Sequence, residues 1–524
     1  MHCTFFADNR PRPARRPLAA AAVAAALALA ACGGGSGSDP ASPATPPGGG
    51  PISSAADRIE PYDPGSAVQR KAAAAPGAAQ GPAQSVPAAL VLLPALAPGA
   101  GEAFDGAVPT KEPAPGDRQQ IGVARPVAAT ATPAALNARL QWQVDGQGVQ
   151  RAALRFRSEG AFGVRLGVQV QALPPGSRLR FHGGGAGEGG EDFTVSGAEV
   201  LAAVAALSAG GSAGASGNDS GNSSTYYWSP DFGGPETVLE VELPAGADPA
   251  QLALAVPVLS HFFIAPAQAA KQNFTKALDA GGCHIDVACR PELDAQSRSV
   301  ARLLFVDRGN SYQCSGTLLN DARSSTTPYL LSAQHCIGSQ AAASTVTTDW
   351  FYRASACNSG ALSPAAQRVY GGATLLYASE DTDTAFLRMN APAPAGTVFA
   401  GSYFGGGVAA GTPVLGLHHP QSGVQKASQG SVQQFVNCKF ELCQVADAAT
   451  SRFLAVAWGQ GETEQGSSGS PLFVSLGSGS ARYVTGQLFG GTSSCQEPRG
   501  TDYYGRFDVA FNTALRQWLK PAAP

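Results

Sequence analysis

Three residue types that can act together as a nucleophilic site occur in the C-terminal half of the chain, in the order His, Asp, Ser. His335 ends the apolar segment LLSAQHC, Asp383 opens the apolar segment DTAFLRM, and a serine cluster follows in EQGSSGSP at 464–471. An imidazole can take the proton of a serine hydroxyl, and a carboxylate can hold that imidazole in the productive tautomer. The pattern predicts covalent catalysis by one of the serines, with His335 as base and Asp383 as its orienting acid.

The segments that must position these residues are short, apolar and separated by turn residues, as in ARLLFVD, TPVLGLHH and YVTGQLFGG. Many short strands without intervening helices predict an all-β sandwich or barrels and not a parallel sheet. Residues 277–524 are enough for two small antiparallel β-barrels, and FNTALRQWLK predicts a closing C-terminal helix.

The N-terminus predicts export. Four arginines between residues 10 and 16 precede an apolar run over 18–31 that is too short to span a bilayer, which is typical of a signal peptide over residues 1–31. The run ends in LAAC, which resembles the lipobox of bacterial lipoproteins and implies lipidation of Cys32 and a membrane anchor. Ordinary secretory cleavage near the same alanines is the alternative, and both interpretations export the chain.

Composition divides the rest of the chain into three parts. Residues 32–115 are rich in Ala, Pro, Gly and Ser and predict a low-complexity linker without chemistry of its own. Residues 116–276 alternate between apolar and polar side chains, which predicts a small β-rich domain. Residues 277–524 hold the candidate catalytic residues.

Charge and cysteine content exclude several classes of function. The formal net charge is -3 and 14% of residues are charged, so no basic surface for nucleic acid is expected. Eight cysteines lie beyond residue 282, and an even number in an exported chain, without any C-x-x-C spacing, indicates disulfides and not a zinc site. We expect no metal, no cofactor and no nucleic-acid partner, and a monomeric chain.

LSAQHC, DTAFL and GSSGSP, in that order, resemble the chymotrypsin-like serine proteases. More closely, CHIDVAC, GLHHP, GSSGSP, GQLFGG, SSC and DYYGR resemble the bacterial lysyl endopeptidases over residues 277–524. The resemblance implies two antiparallel β-barrels with the catalytic groups at their interface, and protein or peptide substrates. It makes His335 the base, Asp383 the orienting acid and Ser468 the nucleophile, with the N–H groups of Gly466 and Ser468 as the oxyanion hole.

The resemblance also implies a pocket for lysine. Asp502 in TDYYGR corresponds to the pocket acid of the family, and Glu464 to an acidic position that assists it. Glu462 occupies the position of the pocket acid in trypsin-like enzymes, six residues before the nucleophile. The segment VTGQLFGG is expected to form the wall of this pocket, with Gly486, Phe489 and Gly490 at the substrate; Phe489 stands where a similar family member carries histidine. The histidines of GLHHP, His418 and His419, are expected to be structural.

The same resemblance implies the disulfides Cys283–Cys495, Cys289–Cys357 and Cys314–Cys336, which leaves Cys438 to bond with Cys443. KQNFTK precedes the protease segment, so self-cleavage after Lys276 would make residues 33–276 a pro-region. Two rival functions share parts of the pattern. A glutamyl endopeptidase has the same triad but would bind the acidic side chain of its substrate through histidine or serine in the pocket. A catalytically silent, surface-anchored binding protein needs no complete triad.

Overall fold

The computed structural model describes residues 55–65, 86–96, 118–184, 192–210, 225–264, 283–439, 442–477, 480–498 and 500–522. These segments are mostly β-strands and form one compact unit. Cys32, Lys271 and Lys276 lie outside the described residues. No helix within the described ranges is long and apolar enough to cross a bilayer.

The N-terminal half contributes two sheets around a core of Val, Leu and Phe side chains. Its strands are β1 (Arg58–Ile59), β2 (Ala88–Leu93), β3 (Gln119–Pro126), β4 (Gln143–Val144), β5 (Gln150–Ser158), β6 (Gly163–Ala172), β7 (Arg178–Gly183), β8 (Asp192–Ser196), β9 (Tyr226–Trp228), β10 (Glu236–Leu243) and β11 (Ala253–Phe262). Its helices are α1 (Pro133–Asn137) and α2 (Gly197–Gly210). One sheet runs β2-β5-β10-β7-β8, and the other contains β3, β11, β6 and β9.

The C-terminal half holds the remaining strands. They are β12 (Ile285–Asp286), β13 (Val300–Asp307), β14 (Asn310–Leu319), β15 (Tyr329–Ala333), β16 (Thr347–Trp350), β17 (Gln367–Val369), β18 (Ala373–Ser379), β19 (Thr384–Met389), β20 (Gly401–Tyr403), β21 (Pro413–His418), β22 (Lys426–Lys439), β23 (Leu442–Val445), β24 (Phe453–Gln460), β25 (Pro471–Ser475), β26 (Arg482–Gly491) and β27 (Thr501–Arg506). Short helices α3 (Asp294–Ser297) and α4 (Gln340–Ala343) connect them.

These strands make two antiparallel layers, which confirms the predicted all-β class. β25, β21, β22, β24, β27 and β26 pair in a closed ring of six strands. β16, β13, β14, β15, β19 and β18 pair in order as an open half-barrel, so only the second barrel closes among the described residues. A helical segment from α5 (Phe507–Ala510) through a π turn (Phe511–Leu515) to α6 (Arg516–Leu519) ends the fold and buries Phe507, Phe511 and Leu515 in the core between the two barrels.

Two segments of the predicted low-complexity linker, residues 32–115, form β-strands that the composition did not predict. β1 pairs with β20 of the second barrel, and β2 pairs in parallel with β5. Glu60 accepts a hydrogen bond from the Tyr483 hydroxyl at 2.6 Å. Composition missed these segments because they are stabilised by the edges of other strands and do not need an apolar core of their own.

Candidate active site

The ends of two neighbouring strands bring His335 and Asp383 together. β15 pairs antiparallel with β19, with Ala333 opposite Thr384, so the residues just beyond these positions are adjacent. Asp383 Oδ2 lies 2.8 Å from His335 Nδ1, and Asp383 Oδ1 accepts the His335 backbone N–H at 2.9 Å. Because the carboxylate only accepts, Nδ1 carries the proton and Nε2 is left with a lone pair for a serine proton.

The backbone of Asp383 is held in an unusual conformation. Its φ is +48°, a left-handed value that costs a non-glycine residue on the order of 1–3 kcal/mol. Its carbonyl accepts hydrogen bonds from the Gln334 N–H at 3.0 Å and from Gln487 Nε2 at 3.2 Å. The side chain is 4% exposed. Gln487, from the second barrel, therefore fixes an acid carried by the first, a role that the sequence analysis did not assign.

The serine turn is built on two glycines with positive φ. Gly466 has φ +86° and Gly469 φ +78°, and a Cβ on either would lie within 2.6 Å of another residue's atoms. The Ser468 carbonyl accepts the Ser315 N–H at 2.8 Å, and the Gly469 N–H donates to the Leu488 carbonyl at 2.9 Å. The turn is thus held between β14 and β26, next to the end of β15 that precedes His335.

A second histidine occupies the other side of this turn. His418 Nδ1 lies 2.8 Å from the Ser467 hydroxyl, and His418 Nε2 lies 3.0 Å from the Ser428 hydroxyl. The Ser467 hydroxyl also accepts the Glu464 N–H at 3.2 Å. Burial lowers the pKa of His418 well below its usual value. Ser467 and His418 are therefore structural, in agreement with the expectation for His418.

Asp502 is a fully buried carboxylate on β27. Its Oδ2 accepts hydrogen bonds from Trp458 Nε1 and Thr463 Oγ1, both at 2.6 Å. Its Oδ1 has no hydrogen-bond partner among the described residues. Burial raises the pKa of Asp502, and hydrogen bonds from Thr463 and Trp458, with smaller contributions from the N–H and hydroxyl of Ser493, offset part of that rise. A buried carboxylate oxygen without a partner is costly unless a cation or donor reaches it.

Two further acids lie near Asp502, and they differ in their partners. Both oxygens of Glu464 are engaged, by His284 Nε2 at 3.1 Å and by the Cys495 N–H at 3.3 Å. Glu462 accepts a hydrogen bond from the Ser493 hydroxyl. Burial raises the pKa of Glu462 to about 7, and the neighbouring carboxylates of Asp502 and Glu464 add to the rise. One oxygen of Glu462 is thus held by a hydrogen bond, whereas both oxygens of Glu464 are held; the role of Glu464 in the pocket stays a prediction.

The segment predicted to form the pocket wall lies in β26. Phe489 lies in a bulge of β26, with its ring centroid 6.1 Å from that of His335, and Gly490 follows with φ +154°. Gly491 pairs with Asp502, and a Cβ on Gly491 would lie 2.4 Å from Asp502 Oδ1. Gly486, however, is paired on both sides, with Leu472 and Arg506. The backbone of Gly486 therefore offers no free strand edge, and its contact with substrate stays a prediction.

Four disulfides connect the catalytic half, at the pairs that the sequence analysis gave. They are Cys283–Cys495, Cys289–Cys357, Cys314–Cys336 and Cys438–Cys443. Cys314–Cys336 joins β14 to the residue after His335, so it restrains the backbone of the candidate base.

Both halves of the chain match domains of known proteins. Residues 278–505 match the lysyl endopeptidase C-terminal domain, and residues 93–263 match the lysyl endopeptidase N-terminal domain. The chain is 30% identical over 419 residues to a lysyl endopeptidase of Pseudomonas aeruginosa, which covers 77% of this chain and 82% of the relative.

Similar solved structures cover less of the chain. A protease of M. tuberculosis in its active form is 15% identical and covers 45% of this chain and 88% of its own, with a TM-score of 0.29. The HtrA-type protease AlgW with tripeptide is 17% identical and covers 43% of this chain and 63% of its own, with a TM-score of 0.30.

The family matches and the curated relative define the class of this protein as a serine endopeptidase. The chain belongs to the lysyl endopeptidase family.

Proposed function

We propose that the protein is an exported endopeptidase that cleaves on the carboxyl side of lysine. The observation that carries this proposal is the fully buried Asp502, whose Oδ1 lacks a partner. An ammonium group at Oδ1 would supply the missing donor and a charge of opposite sign, and their attraction is strong where water is excluded. The adjacent Glu462 makes the same region unfavourable for an acidic side chain, which argues against a glutamyl endopeptidase.

Lysine fits this acid better than arginine does. A guanidinium prefers to bind both oxygens of a carboxylate in a planar fork, whereas an ammonium is a compact point charge. Oδ2 of Asp502 is already occupied by Trp458 and Thr463, so one oxygen remains. A single free oxygen favours the ammonium.

The proposed mechanism uses the His335–Asp383 pair and Ser468. His335 Nε2 takes the Ser468 proton as Oγ bonds to the carbonyl carbon, and the N–H groups of Gly466 and Ser468 stabilise the oxyanion. His335 then gives the proton to the leaving amine as the peptide bond breaks, which leaves an acyl-enzyme. Water, deprotonated by His335, then attacks the ester carbon; the bond to Ser468 Oγ breaks, His335 returns the proton to Oγ, and the product acid leaves. Asp383 stabilises the imidazolium at each stage.

Maturation follows from the same specificity. We include in the proposal a signal peptide over 1–31, a lipid anchor on Cys32, and self-cleavage after Lys276 that releases residues 277–524. N-terminal sequencing of the processed form, beside a Ser468→Ala variant, tests the last step. Unchanged processing in that variant would assign the cut to another protease.

Peptide-library profiling tests the specificity. We expect cleavage after lysine to dominate, and Asp502→Asn to lower turnover of lysine substrates by on the order of a hundredfold or more, since a buried charge loses its partner. Glu464→Gln is the matched control, because both oxygens of Glu464 are held by His284 and Cys495. Its lysine preference should stay that of the wild type. Dominant cleavage after arginine or glutamate would contradict the proposal.

The catalytically silent alternative has its own test. An organophosphonate probe reacts with an activated serine, so labelling of the wild-type chain and not of Ser468→Ala is the expected result. Absence of labelling in a folded chain would favour the binding protein.

A further inference from the structure

β1 lies in a short segment, residues 55–65, that comes early in the chain but packs on the catalytic half. It pairs antiparallel with β20, with Ile59 opposite Ser402. Among the described strands, the other neighbour of β20 is β26, with which it is parallel. β1 therefore covers the outer edge of the sheet that contains the closed barrel. We call residues 57–63 the strap.

The backbone of the strap is hydrogen-bonded to the catalytic half before and after β1. The Asp57 carbonyl accepts the Phe404 N–H at 2.9 Å. Beyond β1, Tyr62 and Phe399 exchange two bonds, of 2.8 Å from the Tyr62 N–H and 2.9 Å from the Phe399 N–H. Pairing of this kind is how an extended peptide that is a separate chain binds an open sheet edge.

Side chains of the strap add a buried anchor and two polar contacts. Ile59 is 4% exposed and belongs to the core between the two barrels, with Val484 of β26. Asp63 pairs with Arg298 at 2.8 Å. The hydrogen bond from Tyr483 to the strap, described above, is the second polar contact. A peptide that adds a strand gains its specificity from pockets for such alternate side chains.

The other ordered piece of the linker packs on the other half of the molecule. β2 pairs in parallel with β5 of the N-terminal half, whereas β1 pairs with β20 of the catalytic half. Lys71 lies between β1 and β2 in the sequence, and Lys111 lies between β2 and β3. Both lysines are outside the described residues. A cut after Lys71 would thus separate two segments that are held by different halves.

The positions of the lysines leave the strap intact under lysine-specific cleavage. The strap contains no lysine, and neither does the chain between Lys111 and Lys271. The specificity that would cut after Lys276 would therefore also cut after Lys71, without cutting the strap. The fragment that ends at Lys71 would carry both the strap and Cys32.

We propose that the strap remains bound to β20 as a separate chain after cleavage at Lys71 and Lys276. The inference rests on the proposed function and refines its last step. Residues 277–524 become a separate chain, but they are still held by the fragment that begins at Cys32. With a lipid on Cys32, the protease stays at the membrane after its N-terminal half has been cut out.

The test uses the full chain with a lysine-free affinity tag inserted after Ser38, so that the tag stays on the strap fragment. After self-processing, the tag is captured and the bound chains are identified by mass spectrometry. We expect residues 277–524 to be captured together with the fragment that ends at Lys71. Recovery of this fragment without the protease would overturn the inference, and so would a captured fragment that continues past Lys71.

Two matched substitutions show whether the strap is what holds the protease. Ile59→Asp places a charge in the core between the barrels, so captured protease should fall at least about tenfold. Leu92→Asp is the control, because Leu92 is 53% exposed on β2, which is not on the captured fragment. Its capture should equal that of the wild type. Equal capture in the two variants would contradict the inference.

A milder variant covers the case in which the Ile59→Asp precursor does not fold. Glu60→Ala with Asp63→Ala keeps Ile59 and removes the contacts to Tyr483 and Arg298. Captured protease should fall by a smaller factor than with Ile59→Asp. Unchanged capture in this double variant would show that the strap does not hold the protease.

A Ser468→Ala chain separates this inference from the proposed function. It is cut with an added lysine-specific protease, which makes the same fragments without any activity of the chain itself. Capture of residues 277–524 from this sample, beside a wild-type chain that stays uncut, would contradict the proposed function and support the strap. Self-processing of the wild type without capture from either sample would overturn the strap alone.

Discussion

Two histidines flank the serine turn, and their surroundings differ in charge and in access. His335, from the half-barrel, has a carboxylate on Nδ1 and is 25% exposed at its side chain. His418, from the closed barrel, is completely buried, and both of its nitrogens lie against serine hydroxyls. A base must gain a positive charge during the reaction, which Asp383 stabilises for His335 and burial disfavours for His418. A short His–Ser contact is therefore not sufficient to identify a nucleophile.

The largest expected effect separates the two adjacent serines. Ser468→Ala should lower kcat/KM by about a million-fold, as loss of a catalytic serine does in other triads. Ser467→Ala should keep activity within about tenfold but destabilise the fold by about 1–3 kcal/mol, since the buried His418 Nδ1 loses its partner. Ester turnover and denaturant unfolding measure the two effects. The reverse pattern would make His418 and Ser467 the catalytic pair.

The second prediction tests the carboxylate of His335. Asp383→Asn keeps the shape but offers an amide that can donate to Nδ1, which favours the wrong tautomer, so kcat should fall by about 10⁴-fold. The thermal midpoint should change little by comparison. The rate of hydrolysis of a lysine ester measures this loss. Asp381→Asn is the control, because Asp381 pairs with the exposed Arg452. Equal losses in the two variants would show that Asp383 has no special role.

The third prediction concerns the buried His418. Its pKa in the fold is far below that of the unfolded chain, so below about pH 6.5 the unfolded state binds a proton that the folded state does not. Stability is therefore lost as the pH falls below about 6.5, the usual pKa of histidine. His418→Gln should show a shallower decline of the unfolding free energy over this range. Identical slopes in the two proteins would mean that His418 is protonated in the fold.

The smallest effect is expected in the pocket. Glu462, with a pKa of about 7, loses its proton as the pH rises from 6 to 8, which adds a negative charge beside Asp502. A simple alkylamine inhibitor should then bind about tenfold more tightly at pH 8 than at pH 6. Amine binding does not require His335 to transfer a proton. Glu462→Gln should flatten the profile, and an unchanged profile would place Glu462 outside the pocket.

Short motifs predict local structure well where residues that are close in the sequence act together. EQGSSGSP needs glycine at Gly466 and Gly469 because both have positive φ and no space for a Cβ, so the pattern is visible in the sequence. Contacts between distant segments were harder to predict. Gln487 reaches Asp383 across the two barrels, and the partners of Glu464 are His284 and Cys495.

The sequence by itself determined the β class, the disulfide pairs, and the order of the candidate base, acid and nucleophile, because these follow from local patterns and from a resemblance that covers residues 277–524. Only the tertiary structure decided which serine hydroxyl is taken by His418, that Gly486 has no free edge, and that β3 pairs with β14 beside the serine turn. The physical reason is that a strand edge and a buried acid acquire their partners from segments far away in the chain. No short motif contains the pairing register that brings those partners together.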